Sequence, residues 1–449
     1  MRTLNFFCVC SIIFLFYGCG NNFLDIKRDQ SMVVPESIED FQALMDNTGV
    51  MNISSLHLPE IATDDFIVPD QVYNSLSSVL QRQAYIWQFD NMFEGQSTDD
   101  WDRGYKKILF ANVAIEGLNK IEIKDEMWKT VMGRALFFKA EAYFHLVQVF
   151  CTPYQPATVN SVLGLVLKHS ANVNENLKRS SLEETYGEIL SLLHQAVDFL
   201  EVDVETVSRP SKAAAHALLT RVYLSMGDYS SALKHASHSL KYKHDVLDYG
   251  TIDHLLPKPF DLYNKETVYY ANNLNVRILL SNVMFVSQDL VASHHPADLR
   301  KNIYYQKEGD AWRFKGSYGE WDSFTGITVP EMLLSKAECE LRLGDGEKAK
   351  ETLRILIEKR YQGTDYESEI NAMSTEALLR TILSERRKEL LFRGIRWFDL
   401  RRLSAIENEH IKLNRMVSGK GYELVFDGKK EVFPIPDKAL ENSEIKQND

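Results

Sequence analysis

Two stretches share one pattern: LTRVYLSMGDYSSALKHASHSL at residues 219–240 and LSKAECELRLGDGEKAKETLRIL at residues 334–356. In the first, Leu219, Val222 and Met226 precede Gly227-Asp228, and Leu233, Ala236 and Leu240 follow it. In the second, Leu334, Ala337 and Leu341 precede Gly344-Asp345, and Ala349, Leu353 and Leu356 follow. Apolar residues three and four apart share one helical face. Glycine enters the left-handed conformation that ends a helix without a Cβ clash. Each stretch is therefore predicted to be helix, Gly-Asp turn, helix. Small residues at matching positions let two antiparallel helices approach closely. Two further apolar stripes keep helical spacing: Ile108, Ala111, Ile115, Leu118, and Phe138, Ala142, Leu146, Val149. Lys139-Ala140-Glu141 also echoes Lys336-Ala337-Glu338.

The paired units resemble tetratricopeptide repeats, whose unit is about 34 residues. The copies are scattered and separated by insertions, and unrelated helical hairpins remain the alternative. Scaffold helices are expected over about 101–242 and 329–405. Residues of about 49–100 and 243–328 lack helical periodicity and are rich in Asn, Asp, Gly, Pro and aromatics. Loops of that length usually build a site or a contact surface. Near the C-terminus, Tyr422 to Phe426, Asp427-Gly428 and Val432-Phe433 read as a hairpin.

The chain has 449 residues, 45% hydrophobic and 25% charged, which is the composition of a soluble globular protein. A net charge of −12 argues against nucleic acid or an anionic membrane surface as the main partner. At the start, Arg2 precedes an apolar run from Phe6 to Tyr17, then Gly18-Cys19. A membrane span needs about 20 apolar residues, so this run reads as a secretory signal over residues 1–18. Cysteine directly after the small residue resembles a bacterial lipoprotein signal, with Cys19 lipidated as the first mature residue. Cys8, Cys10 and Cys19 belong to that segment. Cys151 and Cys339 remain, too few for a disulfide framework or a zinc site.

Several short motifs then occur in order: Asn22-Phe23-Leu24-Asp25; Glu60-Ile61-Ala62-Thr63-Asp64-Asp65; Trp101-Asp102-Arg103-Gly104-Tyr105 with Ile108 and Asn112; Asp298-Leu299-Arg300; and Glu331-Met332-Leu333-Leu334 running into Ala337-Glu338. The most specific is Glu385-Arg386-Arg387-Lys388-Glu389-Leu390, continued by Gly394-Ile395-Arg396-Trp397-Phe398-Asp399-Leu400-Arg401-Arg402. Pro434-Ile435-Pro436 and Gln447-Asn448 close the chain. In this order they resemble the SusD/RagB family of lipoproteins from Cys19 to Asp449. Arg393 departs from the pattern, which usually has Glu there. The resemblance implies a mainly α fold in one domain over 19–449: tetratricopeptide-like hairpins in a right-handed scaffold, long irregular ligand-binding insertions and a small C-terminal hairpin. It implies a non-enzymatic nutrient-binding protein, lipid-anchored at the outer membrane. Such proteins cap a SusC-type TonB-dependent transporter and hand over oligosaccharides or, in some members, peptides.

The bases of 385–402 alternate with Glu385, Glu389 and Asp399 at pairing distances on a helix, so a structural role is expected for them. Trp397 and Phe398 are expected as core anchors, and Trp87 and Trp101 as scaffold. His294-His295 lacks any metal-binding spacing, and no metal or cofactor is expected. Asp64-Asp65 and Asp99-Asp100 are acidic pairs, but glycoside hydrolysis needs two carboxylates at a set separation across a sugar ring. Binding chemistry fits better. Aromatic rings suit the flat C–H faces of sugars, and Asp, Asn, Gln and Arg suit their hydroxyls. The candidate ligand rings are Phe66 and Tyr73 in the first insertion, and Tyr304, Tyr305, Trp312, Tyr318 and Trp321 in the second. An oligosaccharide is the expected ligand and a peptide the nearest alternative. A glycan hydrolase and a protein-binding helical-repeat scaffold are the alternatives of another class.

Overall fold

The computed structural model describes residues 35–175, 178–320, 322–363, 366–407, 410–441 and 443–448. The signal segment, Cys19 and Trp321 lie outside them. The long helices, in chain order, are α1 (Asp99–Asn119), α2 (Glu126–Phe150), α3 (Leu182–Phe199), α4 (Lys212–Met226), α5 (Tyr229–Tyr242), α6 (Val329–Arg342), α7 (Gly346–Ile357), α8 (Thr375–Glu389) and α9 (Arg396–Glu407). Each of α1 to α7 packs on the next, α8 packs on α6, and α9 on α4. The fold is thus the mainly helical, tetratricopeptide-like stack expected. Among the described residues, no helix is long and apolar enough to cross a membrane.

Both Gly-Asp pairs work by the same local device. Gly227 has φ +74°, and the Asp228 N–H returns to Tyr223 O at 3.0 Å. The Asp228 carboxylate then caps α5, accepting from the Ser231 N–H at 3.0 Å. Gly344 has φ +92°, the Asp345 N–H bonds Glu340 O at 2.9 Å, and Asp345 caps α7 through the Lys348 N–H at 3.3 Å. One residue ends a helix and the next starts its partner, which is why two residues suffice for the turn.

α2 is the central helix, buried continuously from Val131 to Phe150. Burial there includes charge: Lys107 of α1 pairs with Glu141 of α2 at 2.8 Å. Cys151 and Cys339 are buried free thiols in separate places, as small core residues. Trp87 and Trp101 are buried, and Trp87 Nε1 donates to Ala62 O at 2.9 Å.

The insertions carry short helices and strands of two to four residues that pair with each other. Phe66–Ile67 pairs antiparallel with Phe285–Val286, and Ile53 bridges Asn272. Thr267–Tyr269 pairs with Ile327–Thr328, and Tyr305–Glu308 forms a hairpin with Ala311–Phe314.

The C-terminal hairpin exists, but not where the sequence placed it. Its strands are Lys412–Val417 and Lys420–Val425, joined through Ser418 (φ +51°) and Gly419 (φ +76°). Two consecutive left-handed residues match the right-handed twist of a tight hairpin. Leu413, Arg415 and Val417 face inward in strict alternation. Asp427-Gly428 instead forms a capped turn, with Glu431 accepting from the Gly428 N–H at 3.0 Å and Asp427 from the Lys430 N–H at 2.9 Å. Phe433 then bonds Val149 O at 3.1 Å rather than pairing with Tyr422.

Candidate functional site

A buried charge network ties the second insertion to α8. The Arg300 side chain is fully enclosed. It donates from Nε and Nη2 to Asp298, each at 2.8 Å, from Nη1 to Glu389 at 3.1 Å, and from Nη2 also to Glu385. Arg360 Nη2 donates to Glu266 at 2.7 Å and to Glu389 at 2.8 Å. Lys388 pairs with Glu385. Burial raises the affinity of these carboxyls for protons, but the cations outweigh it. Arg300 holds Asp298 below its ordinary value, Arg300 and Lys388 do so for Glu385, and Arg360 and Arg300 for Glu389. An unpaired charge at this depth is strongly unfavourable, so the network fixes the loop on the helix. The ERRKEL and Asp-Leu-Arg motifs are two halves of one latch.

Tyrosine hydroxyls extend that latch. Tyr249 shares hydrogen bonds of 2.9 Å with Tyr304 and Tyr318, and the Tyr318 hydroxyl donates to Glu266. Tyr305 bonds His294 Nε2 at 2.9 Å, and His294 Nδ1 meets Asp298 at 2.8 Å. His294 is thereby committed to its neighbours. Arg393, the departure from the family pattern, lies 4.4 Å from the Tyr318 ring centre and donates to Thr328 Oγ1 at 2.9 Å.

These contacts correct the expected ligand face. Phe66, Tyr304, Tyr305 and Tyr318 are each 3% exposed or less and offer no outward face. Phe66 packs on Tyr85 and Phe392 at 5.6 and 6.3 Å. An irregular loop has no period to reveal which rings turn inward. Here the hydroxyls found buried acceptors, and the rings followed. Tyr73 is half-buried beside Tyr85 at 5.7 Å. Trp312 is half-buried, 6.5 Å from Tyr305, with Lys307 Nζ 5.9 Å from its ring.

The first insertion has its own latch, on α8 and the start of α9. Asp64 pairs with Arg387 at 2.9 Å and Arg396 at 2.8 Å, and Asp65 with Arg387 at 2.8 Å. Burial raises Asp64, yet Arg396 and Arg387 bring it down to about 2. Asp100 is buried and accepts from the Leu58 N–H at 3.0 Å, while Asp99 pairs with Arg103 at 3.1 Å. Neither acidic pair faces another across an open cleft.

Above the network the second insertion encloses an open cleft of about 330 Å³. Its walls include Asn275, Asn282, Gln306, Arg313, Lys315 and Asp322, with Phe314 and Phe392 as apolar surface. Phe314 and Phe392 meet edge to face at 5.0 Å. Among the described residues, those lining it do not include Trp312 or Tyr73. Several polar groups are already oriented. Arg313 donates to Ser281 O at 3.0 Å and Met284 O at 3.1 Å, and Asp322 accepts from Asn272 Nδ2 at 3.0 Å. Asn282 and Gln306 are exposed at the rim. Sequence reasoning pointed to this insertion but committed only to its rings as candidates. The polar residues between the rings were the available signal.

Beside the cleft a small cavity is lined by Glu60, Asn273, Met284 and Phe392. Burial, then the nearby Asp65 charge, pushes the Glu60 carboxyl up to about 8, although the Gly394 N–H donates to it at 2.9 Å. Its neutral form contributes stability fully present below the ordinary value of 4.5 and lost as pH rises through about 8. Glu60→Gln keeps an acceptor for Gly394 and cannot ionise. It should stabilise the fold by about 2 kcal/mol at pH 8 and change little at pH 4.5. That is well under the full shift at about 1.4 kcal/mol per unit, since surroundings relax around a charge. Urea melts at both pH values check this, and an equal effect at both would refute it.

A second hollow of about 770 Å³ lies elsewhere, lined by Trp87, Gln88, Phe89, Asp90, Lys430 and Asn448 among others. It is larger, and residues of the first insertion and the C-terminal segment line it rather than the second insertion.

Two family models match the chain. One, described as starch-binding and associating with the outer membrane, matches residues 22–224, and one described as the SusD family matches residues 296–449. A curated relative, SusD-like protein P2 of Formosa agariphila, is 30% identical over 137 residues, which is 30% of this chain and 25% of that protein. The chain thus matches about a quarter of that relative's length. A SusD superfamily crystal structure from Bacteroides thetaiotaomicron superposes with TM-score 0.73 at 20% identity, covering 92% of this chain and 100% of that one. Surface glycan-binding protein A of Bacteroides fluxus superposes with TM-score 0.70 at 17% identity, covering 92% and 99%. At these identities the structural likeness establishes the fold.

Proposed function

Because the chain belongs to the SusD/RagB family, we propose that it binds an oligosaccharide at the outer membrane and delivers it to a SusC-type TonB-dependent transporter. The observation that carries the binding reading is the cleft of the second insertion, where pre-oriented polar groups surround a Phe314–Phe392 surface. Hydroxyl-rich ligands suit such a wall, and a cleft of this size lies in the usual range for small ligands. The protein binds without catalysis: the acidic pairs singled out in the sequence are occupied by arginines or backbone N–H groups. Anchoring is through a lipid on Cys19 at the outer surface. A peptide is the second reading, favoured by the mixed charges of Arg313, Lys315 and Asp322 in the same cleft.

The test is a glycan and peptide panel on the soluble mature form, followed by variants. Gln306→Ala and Asn282→Ala should each weaken binding about three- to tenfold, the worth of one net hydrogen bond. Their melting temperatures should stay unchanged, since both side chains are exposed. Gln88→Ala, in the second hollow, should bind normally. If Gln88→Ala loses binding and the cleft variants do not, the larger hollow is the site. Membrane fractionation of Cys19→Ala tests the anchor, and co-purification of an outer-membrane barrel in mild detergent tests the partnership. An unchanged membrane fraction for the variant, or recovery of the protein alone, would count against those parts.

A further inference from the structure

The Gly227-Asp228 hairpin brings together histidines that the sequence keeps apart. His216 lies on α4, and His235 and His238 lie three residues apart on one face of α5. Their ligand atoms all fall within 4.8 Å of one another. His216 Nδ1 and His235 Nδ1 are 2.9 Å apart, and the His216 and His238 rings are centred 4.9 Å apart. His216 and His235 are 6% and 4% exposed, while His238 is half-buried and open on one side. We propose that His216, His235 and His238 form a three-histidine site for a borderline divalent transition metal of the zinc class.

Packing alone accounts for part of this cluster. One neutral imidazole donates to the other across the 2.9 Å gap, Tyr242 stacks on His216 at 6.1 Å, and Tyr223 stacks on His235 at 5.4 Å. It does not account for His238 Nδ1, which is buried without a hydrogen-bond partner. Buried polar atoms are normally satisfied, and an unpaired imidazole nitrogen in a cluster of three histidines is suited to a cation. Imidazole nitrogen selects zinc, copper or nickel, and the absence of carboxylate ligands disfavours calcium and magnesium. A tetrahedral ion at about 2.0–2.1 Å from each nitrogen sets ligands about 3.3 Å apart. The His216–His235 pair therefore needs to open by only a few tenths of an ångström.

Metal ligation needs neutral rings. The 2.9 Å contact of His216 Nδ1 with His235 Nδ1 already requires one of the two nitrogens to carry no proton. Lys212 and Lys234 oppose a cation here, and Asp228 favours one. His194, on α3, is exposed and bonds the Tyr223 hydroxyl at 3.0 Å, outside the ligand set. The three histidines span a single hairpin, so an ion there would staple α4 to α5.

The test uses the full chain without a histidine tag, stripped with chelator and titrated with zinc chloride at pH 7. The expected result is one ion per chain and a raised melting temperature. Cobalt(II) should give the intense visible bands of a tetrahedral site. His238→Gln, at the half-buried ligand, should lower zinc affinity more than about 100-fold, beyond the loss typical of an outer-shell partner. Its circular dichroism and metal-free melt should match the parent. His216→Gln is the second variant. Zinc binding that survives His238→Gln unchanged, or no stoichiometric binding by the parent, overturns the proposal.

Discussion

Arg300→Ala should be among the most damaging single changes in this protein, costing about 3–5 kcal/mol of folding stability. The side chain is wholly enclosed and contacts three carboxylates, Asp298, Glu385 and Glu389. Removing it leaves Lys388 and Arg360 to balance Asp298, Glu385, Glu389 and Glu266. The excess negative charge has no water to turn to. Part of the loss should be recoverable by acid. Without Arg300, less positive charge opposes the burial that raises the proton affinity of the three carboxyls, and protonation relieves them at a higher pH than in the parent. The deficit should be greatest near pH 8 and shrink toward pH 5. Urea melts of the variant and the parent at both pH values measure it. Near-parental stability at pH 8 would show that the ion network is incidental. Hydrogen exchange should locate the damage in the second insertion and α8 before the α1–α5 stack, since Arg300 joins those two parts.

The α-helical framework was legible because its signals are local. Gly227-Asp228 and Gly344-Asp345 each write both the end of one helix and the cap of the next within four residues, and the structure uses them that way. The role of 385–402 was legible only by half. The alternation of acids and bases announced ion pairing, and Arg386–Asp399 is such a pair within the segment at 2.8 Å. The other partners come from far away: Arg300 is 89 residues from Glu389, and Asp65 is 322 from Arg387. No spacing rule reaches so far.

Four of the expected ligand rings turn inward for a related reason. Whether Tyr304 or Tyr318 turns outward depends on Glu266, in a turn, and Tyr249, in a short 3-10 helix, both more than 35 residues away in sequence. The C-terminal hairpin was displaced because Asp427-Gly428 and Ser418-Gly419 are both turn dipeptides. What separates them is the inward alternation of Leu413, Arg415 and Val417, in which an arginine occupies an apolar position. Arg415 earns that place by lying 3.7 Å from the Tyr85 ring centre and 4.7 Å from that of Trp87. His216 and His238 were overlooked because the hairpin turn, not a short motif, brings them together.

Trp397→Ala should cost about 3–5 kcal/mol, the range for truncating a large buried aromatic. The ring is 0% exposed and packs on Phe426 and Phe433, with ring centres at 5.1 and 5.6 Å. Its Nε1 is buried without a hydrogen-bond partner. The variant therefore loses packing and leaves a cavity, with no broken hydrogen bond to add. Trp397→Phe should then be far milder, about 1–2 kcal/mol, because most of the volume and the aromatic contacts remain. A large gap between the two variants identifies a cavity effect. Equal losses would point instead to a role for the indole N–H. Phe426 directly follows the second hairpin strand, and Phe433 bonds α2 through Val149 O at 3.1 Å. The 412–433 segment should accordingly lose hydrogen-exchange protection first in Trp397→Ala. Ligand binding measured below the melting transition should stay at the parental level, because Trp397 lines neither hollow. Binding lost at normal stability would reverse the assignment and make this tryptophan part of the site.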